Sequence, residues 1–117
     1  MILIVDDSEL IIQRLIDMLK EVENVDSIIH AHNYAEADTL LQCTNIHVVV
    51  LDINLPTKSG VELLKYIKRD YPQIKVIMFT NNASNYHRAL CEQLDADYFI
   101  DKSNDFEMIP SIIATLN

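Results

Sequence analysis

Three stretches of the chain, ILIV (2–5), VVVL (48–51) and VIMF (76–79), are apolar without interruption. A strand with one face in water alternates apolar and polar residues. An unbroken run therefore needs cover on both faces, as in a parallel sheet flanked by helices. Strands are expected at Ile2–Asp6, Asp26–Ala31, His47–Asp52, Lys75–Thr80 and Tyr98–Asp101. Helical periodicity fills the gaps. Ile11, Leu15 and Leu19 form a stripe after Ser8, and Ala37, Leu40 and Leu41 form one after Asn33, with Glu36 three places on. The stretch SGVE is a capping box, Ser59 reaching forward and Glu62 back. It opens a helix that buries Leu63, Leu64 and Ile67 and ends before Pro72. Ser84–Leu94 forms a weaker helix with Tyr86, Leu90 and Leu94 as its apolar row. A last helix holds Phe106, Ile109, Ile112, Ile113 and Leu116, starting between Asp105 and Ile109 because Pro110 falls in its first turns.

This βαβαβαβαβα alternation predicts an α/β domain, with right-handed crossovers placing helices on both faces of a five-stranded parallel sheet. The expected class is the flavodoxin-like (βα)5 three-layer sandwich, strand order 2-1-3-4-5. Its site lies beyond the carboxyl ends of the strands. With 117 residues there is one core and one domain, 1–117. There is no repeat, linker or low-complexity tract.

Composition narrows the function classes. Lys and Arg total 9 against 18 Asp and Glu, a net charge of −9. Such a surface argues against binding nucleic acid or an anionic membrane. No apolar run approaches the ~20 residues of a membrane span. The start, MILIVDD, has no secretory pattern, and Cys43 and Cys91 lack metal-ligand spacing. A reduced cytoplasmic setting follows, with both cysteines as small hydrophobes on helices. His30 and His32 share one face of a strand, but no third ligand is near in the sequence. They are read as surface or strand-edge residues rather than a metal pair.

Four strands run into polar residues: Asp6–Asp7, Asp52, Thr80 and Asp101–Lys102. Strands 1, 3, 4 and 5 are neighbours in the expected order, so at ~4.8 Å per strand they span roughly 14 Å, within reach of a lysine. Asp52 falls between the acid pair and Lys102. Two carboxylates about 4 Å apart repel by roughly 4 kcal/mol at an effective dielectric of 20. Unaided, one would take up a proton. A divalent cation removes the conflict, and Mg2+ suits one or two carboxylates plus waters and a phosphate oxygen. Each residue taken singly has a plainer role: Asp7 and Ser8 as helix caps, Thr80 as a β-branched strand residue, Lys102 as a surface lysine. Their joint placement at one edge is what points to chemistry.

The pieces VDDS, LDINLPTKSG, FTN and DYFIDKS together resemble the receiver domain of two-component response regulators, over essentially the whole chain. The pattern Asp, two residues, hydrophobe, Pro, three residues, Gly is met by Asp52, Leu55, Pro56 and Gly60, the chain's single glycine. The resemblance implies Asp52 as phosphoacceptor, and Mg2+ held by Asp7, Asp52 and the backbone carbonyl of Asn54, with Asp6 assisting through water. It implies Lys102 and Thr80 as phosphoryl partners and Phe99 as the switch aromatic. The implied donor is a phosphohistidine on a sensor histidine kinase or histidine phosphotransfer protein. The implied output passes through the face of the last two helices and the fifth strand, which is also the expected dimer face, to a downstream protein or an effector domain.

The chain departs from the family pattern at four positions. Ser103 replaces a usual proline, for which a trans bond or a strained loop is expected, because a cis bond before Ser costs about 3–4 kcal/mol. Asn81 is bulkier than usual and is expected to narrow access to Asp52. Asp95 replaces a glycine, and Phe99 lacks a tyrosine hydroxyl. Two other readings compete: a binding-only pseudo-receiver, and an enzyme on a similar sheet such as an aspartate phosphatase. The first is opposed by the full set of acids, Thr80 and Lys102. The second is opposed by the missing Gly-rich loop and by adjacent rather than separated aspartates. The expected chemistry is self-catalysed phosphoryl transfer and slow autodephosphorylation, without turnover of an outside substrate. No effector domain is expected within these 117 residues after the fifth helix. A stand-alone, chemotaxis-type regulator and a receiver trimmed from a longer protein both remain open.

Overall fold

The computed structural model describes residues 1–23, 25, 27–81 and 84–116. Strands β1 (Ile2–Val5), β2 (Ile28–Ala31), β3 (Val48–Leu51), β4 (Lys75–Thr80) and β5 (Tyr98–Asp101) form one parallel sheet in the order β2-β1-β3-β4-β5. Between and after them lie helices α1 (Glu9–Leu19), α2 (Tyr34–Cys43), α3 (Gly60–Asp70), α4 (Asn85–Gln93) and α5 (Ile109–Leu116). The expected sheet order is the observed one.

The unbroken apolar runs are explained by a core on each face of the sheet, where a single core was expected. Ile2, Ile4, Val48, Val50, Ile77 and Phe79 point to one face, where α1 and α5 cover them. Leu3, Val5, Val49, Leu51, Val76 and Met78 point to the other, under α2, α3 and α4. Successive side chains alternate faces, so a strand buried twice has no polar position to offer.

Local sequence sets the helix boundaries. Ser8, Asn33, Ser59 and Ser84 cap α1 to α4, each side chain accepting from the amide N–H three residues on. Tyr71 closes α3 ahead of Pro72, with Lys68 and Arg69 at the negative end of the helix dipole. A 3-10 turn, Phe106–Met108, precedes α5 and puts Pro110 in its first turn, where the absent N–H has no intrahelical partner to lose. Asp95 has φ 67. The N–H of Ala96 reaches the carbonyl of Cys91 and that of Asp95 reaches Glu92, both at 3.0 Å, closing α4 as a Schellman motif.

Several expectations shift. The predicted strands at Ile2–Asp6 and His47–Asp52 end one residue early, yet the ladder continues: the N–H groups of Asp6 and Asp52 donate to Ala31 and Val5. The second also begins at Val48, not His47. The expected second strand starts later, at Ile28, and Asp26 lies outside the described residues. In α1 the buried row is Ile12, Leu15 and Leu19, and Ile11 is only partly covered. The stripe 12, 15, 19 is as helical as 11, 15, 19, so spacing alone did not choose. Leu40 is half-buried beside Ala37 and Leu41. In α4 Tyr86 is exposed, and the residue that enters the core is Cys91. Cys43, by contrast, is exposed at the end of α2.

Candidate functional site

Four strand ends deliver the predicted residues to one edge of the sheet. Asp6 follows β1 and is pinned on two sides: its Oδ1 accepts from the Ser8 N–H (2.9 Å) and its Oδ2 from Lys102 Nζ (2.6 Å). Asp52 follows β3. Its Oδ1 accepts from the Asn54 amide (3.2 Å) and its Oδ2 from Lys102 Nζ (3.1 Å). Asp7 is exposed beside them, and carboxylate oxygens of Asp6, Asp7 and Asp52 lie within 4.8 Å of one another. Thr80, fully buried, ends β4 opposite Asp101 in the β5 register, and its carbonyl accepts from the Lys102 N–H (3.1 Å).

Lys102 is thus the hub of the site. It closes contacts 96 and 50 residues away in sequence, and its side chain is only 7% exposed. The ammonium lies 5.5 Å from the centre of the Phe79 ring, which stacks edge-on against Phe106. An aromatic floor of this kind favours a cation and fixes its stem. Phe79 is a supporting residue that the sequence reading missed. Its position next to Thr80, on a strand adjoining β5, was the available signal.

Electrostatics depart from the expected balance in one respect. The Asp6 carboxyl is held above its ordinary value of 3.8, chiefly by burial. The Lys102 bond, the Ser8 N–H and the Lys102 charge oppose this, and the Asp52 charge adds to it least. Desolvation outweighs like-charge repulsion because Lys102 already sits between Asp6 and Asp52.

The loop after Asp52 is shaped by packing. Gly60 donates to the Ile53 carbonyl at 2.7 Å, and a Cβ at position 60 would lie 1.9 Å from the Asp52 carbonyl oxygen. Thr57, between Pro56 and Gly60, has φ 67, a left-handed conformation uncommon for a β-branched residue. Asn54 is exposed next to Asp52.

The departures also resolve. Among the described residues no peptide bond is cis, so the Lys102–Ser103 bond is trans, as expected. The Ser103 N–H, which proline would lack, donates to Asp101 Oδ1 at 2.8 Å. Asn81 is exposed, and its Oδ1 makes a long 3.4 Å contact with the Ser103 hydroxyl. Phe99 is half-buried on β5, with the Arg88 guanidinium 4.7 Å over its ring and Arg88 also 3.4 Å from its carbonyl.

With an acid trio, a threonine and a lysine at one sheet edge, comparison with known proteins is decisive. The family described as "Response regulator receiver domain" matches residues 2–114. The chain belongs to the response regulator receiver family. Among curated relatives it is 35% identical over 98% of its length to the transcriptional regulatory protein CpxR of Escherichia coli (strain K12). The chain spans about half of that relative, 48%. Among solved structures, the isolated REC domain of RcsB from Salmonella enterica serovar Typhimurium shares the fold, with TM-score 0.92 and 24% identity over 98% of this chain and 86% of that one. A response regulator from Burkholderia pseudomallei with a phosphorylated aspartic acid, calcium ion and citrate matches at TM-score 0.83 and 25% identity, covering 99% of this chain and 65% of that one. Receiver domains are phosphorylation-regulated modules of two-component signalling, and this chain is one of them. No helix among its described residues is long and apolar enough to cross a membrane.

Proposed function

We propose that residues 1–117 act as a single receiver domain in which Asp52 accepts a phosphoryl group from a phosphohistidine. The observation that carries this is the seating of Asp52: buried, in the middle of the strand edge, its carboxylate held by the Asn54 amide on one oxygen and by Lys102 on the other. A carboxylate oxygen of Asp52 attacks phosphorus, the N–P bond of the donor breaks, and its electron pair returns to the imidazole. Such transfer asks mainly for positioning and charge neutralisation. Lys102 turns from the free carboxylates to the phosphoryl oxygens, and Thr80 hydrogen-bonds the group once attached. The three acids fit a hard divalent cation, since their charge exceeds what one lysine offsets. Mg2+ would be held by Asp7, Asp52 and the Asn54 carbonyl, with Asp6 through water, and would neutralise charge on the phosphoryl oxygens.

The proposed donor is a sensor histidine kinase or a histidine phosphotransfer protein, in the cytoplasm. The reader is a downstream protein or an attached effector domain. Movement of Thr80 and Lys102 toward the new charge pulls the ends of β4 and β5. Phe99 and the α4–β5–α5 face follow, and that face is the proposed surface for output and for phosphorylation-dependent dimerisation. Tyr86 and Tyr98 are exposed there, which suits a protein contact. Incubation with Mg2+ and acetyl phosphate, read by intact mass, is expected to add one phosphoryl group to the wild type and none to Asp52→Asn. Equal modification of the variant, or none of the wild type, overturns the assignment.

A further inference from the structure

We propose that the β2 edge of the sheet carries a second metal site, formed by Glu9, His30 and His32, that takes a borderline divalent transition ion of the Zn2+ type. The sequence reading set the two histidines aside because no third ligand was near. The fold supplies one. Glu9 opens α1, and its carboxylate pairs with His32 Nε2 across 23 residues of sequence. His30 lies on β2 and His32 just past its end, two places apart, so both rings leave the same face. They meet edge-on with centroids 5.5 Å apart. One ligand atom from each of Glu9, His30 and His32 lies within 4.8 Å of the others.

The donor set selects the ion. Two imidazoles and one carboxylate are a known zinc ligand set that leaves a fourth position for water. Ions of this type prefer imidazole nitrogen, whereas Mg2+ and Ca2+ prefer oxygen alone. The trio of Asp6, Asp7 and Asp52 offers only oxygens, so the two clusters are chemically distinct although both lie toward the carboxyl ends of the strands.

The surroundings of His32 support ligation. Its Nδ1 faces Glu36 Oε1 at 3.1 Å. Glu36 is itself fixed by the His32 backbone N–H (3.1 Å) and by Asn33 Nδ2 (3.0 Å). A carboxylate behind a ligating imidazole sets the tautomer and aims the other nitrogen at the metal. Here that other nitrogen is Nε2, the one directed at Glu9. An open depression of about 320 Å3, lined by His30, Glu36, Thr39 and Leu40, lies beside His30. An ion in this place ties the end of β2 to the first turn of α1, the turn that follows Asp6 and Asp7.

Titration of Zn2+ into the full chain by calorimetry, with Mg2+ in excess, tests the site. One zinc per chain is expected, weakened at least about tenfold in His30→Gln and in His32→Gln and unchanged in Asp52→Asn. Glu36→Gln should weaken binding by about tenfold while leaving one zinc per chain. The ring-nitrogen NMR signals of His30 and His32 in the wild type should move on zinc addition, a readout that needs no variant to fold. Zinc that Mg2+ displaces, zinc lost in Asp52→Asn, binding that survives both histidine changes, or unmoved His30 and His32 signals would each overturn the proposal. None of these outcomes bears on phosphorylation of Asp52, which is read separately by mass.

Discussion

Gly60 abuts the Asp52 backbone so closely that any side chain must displace the loop that aims Asp52. The obstacle is backbone, which cannot swing aside as a flexible side chain would. Gly60→Ala is therefore expected to cost about 3 kcal/mol, near the top of the usual range for overpacking. Urea unfolding would measure that. The same substitution should slow phosphorylation by roughly 100-fold, because a shift of about 1 Å at a reacting group carries that penalty. A variant with wild-type stability and rate would show that the loop yields freely. The glycine here is required by contact with Asp52, since Gly60 itself does not have a positive φ.

At the scale of elements, helix ends and helix pairs show where stability is left unclaimed and where it depends on pH. Asp95 occupies the left-handed position of the Schellman motif that closes α4. Glycine carries no steric penalty there, so Asp95→Gly should raise stability by about 1 kcal/mol, readable as a higher urea midpoint. Helices α2 and α3 are joined by the Tyr66 hydroxyl, which donates to Asp38 Oδ1 at 2.6 Å, and by the stacked rings of Tyr34 and Tyr66. The Tyr66 bond, aided by Gln42, holds the Asp38 carboxyl below its ordinary 3.8. The folded state thus favours the ionised carboxylate more than the unfolded chain does. That contribution is complete above about pH 4 and fades as pH falls below 3.8 through the lowered value. Tyr66→Phe should lower stability at pH 7 by about 1 kcal/mol, less than a fully buried bond to a charge, because Asp38 is partly exposed. The gap between wild type and variant should narrow below pH 4. A gap that is constant with pH would mean the hydroxyl contributes through packing alone.

Across the whole molecule, the site is also a clasp. Lys102 joins β5 to residues following β1 and β3, and its partners Asp6 and Asp52 are almost fully buried. Removing one member of such a set leaves charge stranded, so in a chelator Lys102→Ala should lose about 3 kcal/mol. A cation among the acids would replace part of the lost charge. The variant's melting temperature should accordingly rise more with Mg2+ than the wild type's does, even as its phosphorylation slows. Melting curves with and without Mg2+ decide this, and an equal Mg2+ shift in both proteins would contradict it.

Much of this was legible from the chain alone. The unbroken runs at 2–5, 48–51 and 76–79 suit strands covered twice, and the order of strands and helices then placed Asp6, Asp7, Asp52, Thr80 and Lys102 on a common edge. Period and chain order are local properties, and a sequence carries them directly. Other features were decided in three dimensions. Spacing could not choose Ile12 over Ile11, because each fits a helical stripe with Leu15 and Leu19, and only the packing of α1 on the sheet buries Ile12. Nor could it bring Glu9 to His32, set Phe79 under Lys102, or press Gly60 onto Asp52. Each of those contacts joins residues from different segments. Their distances are fixed by how the layers pack, which no single stretch of sequence records.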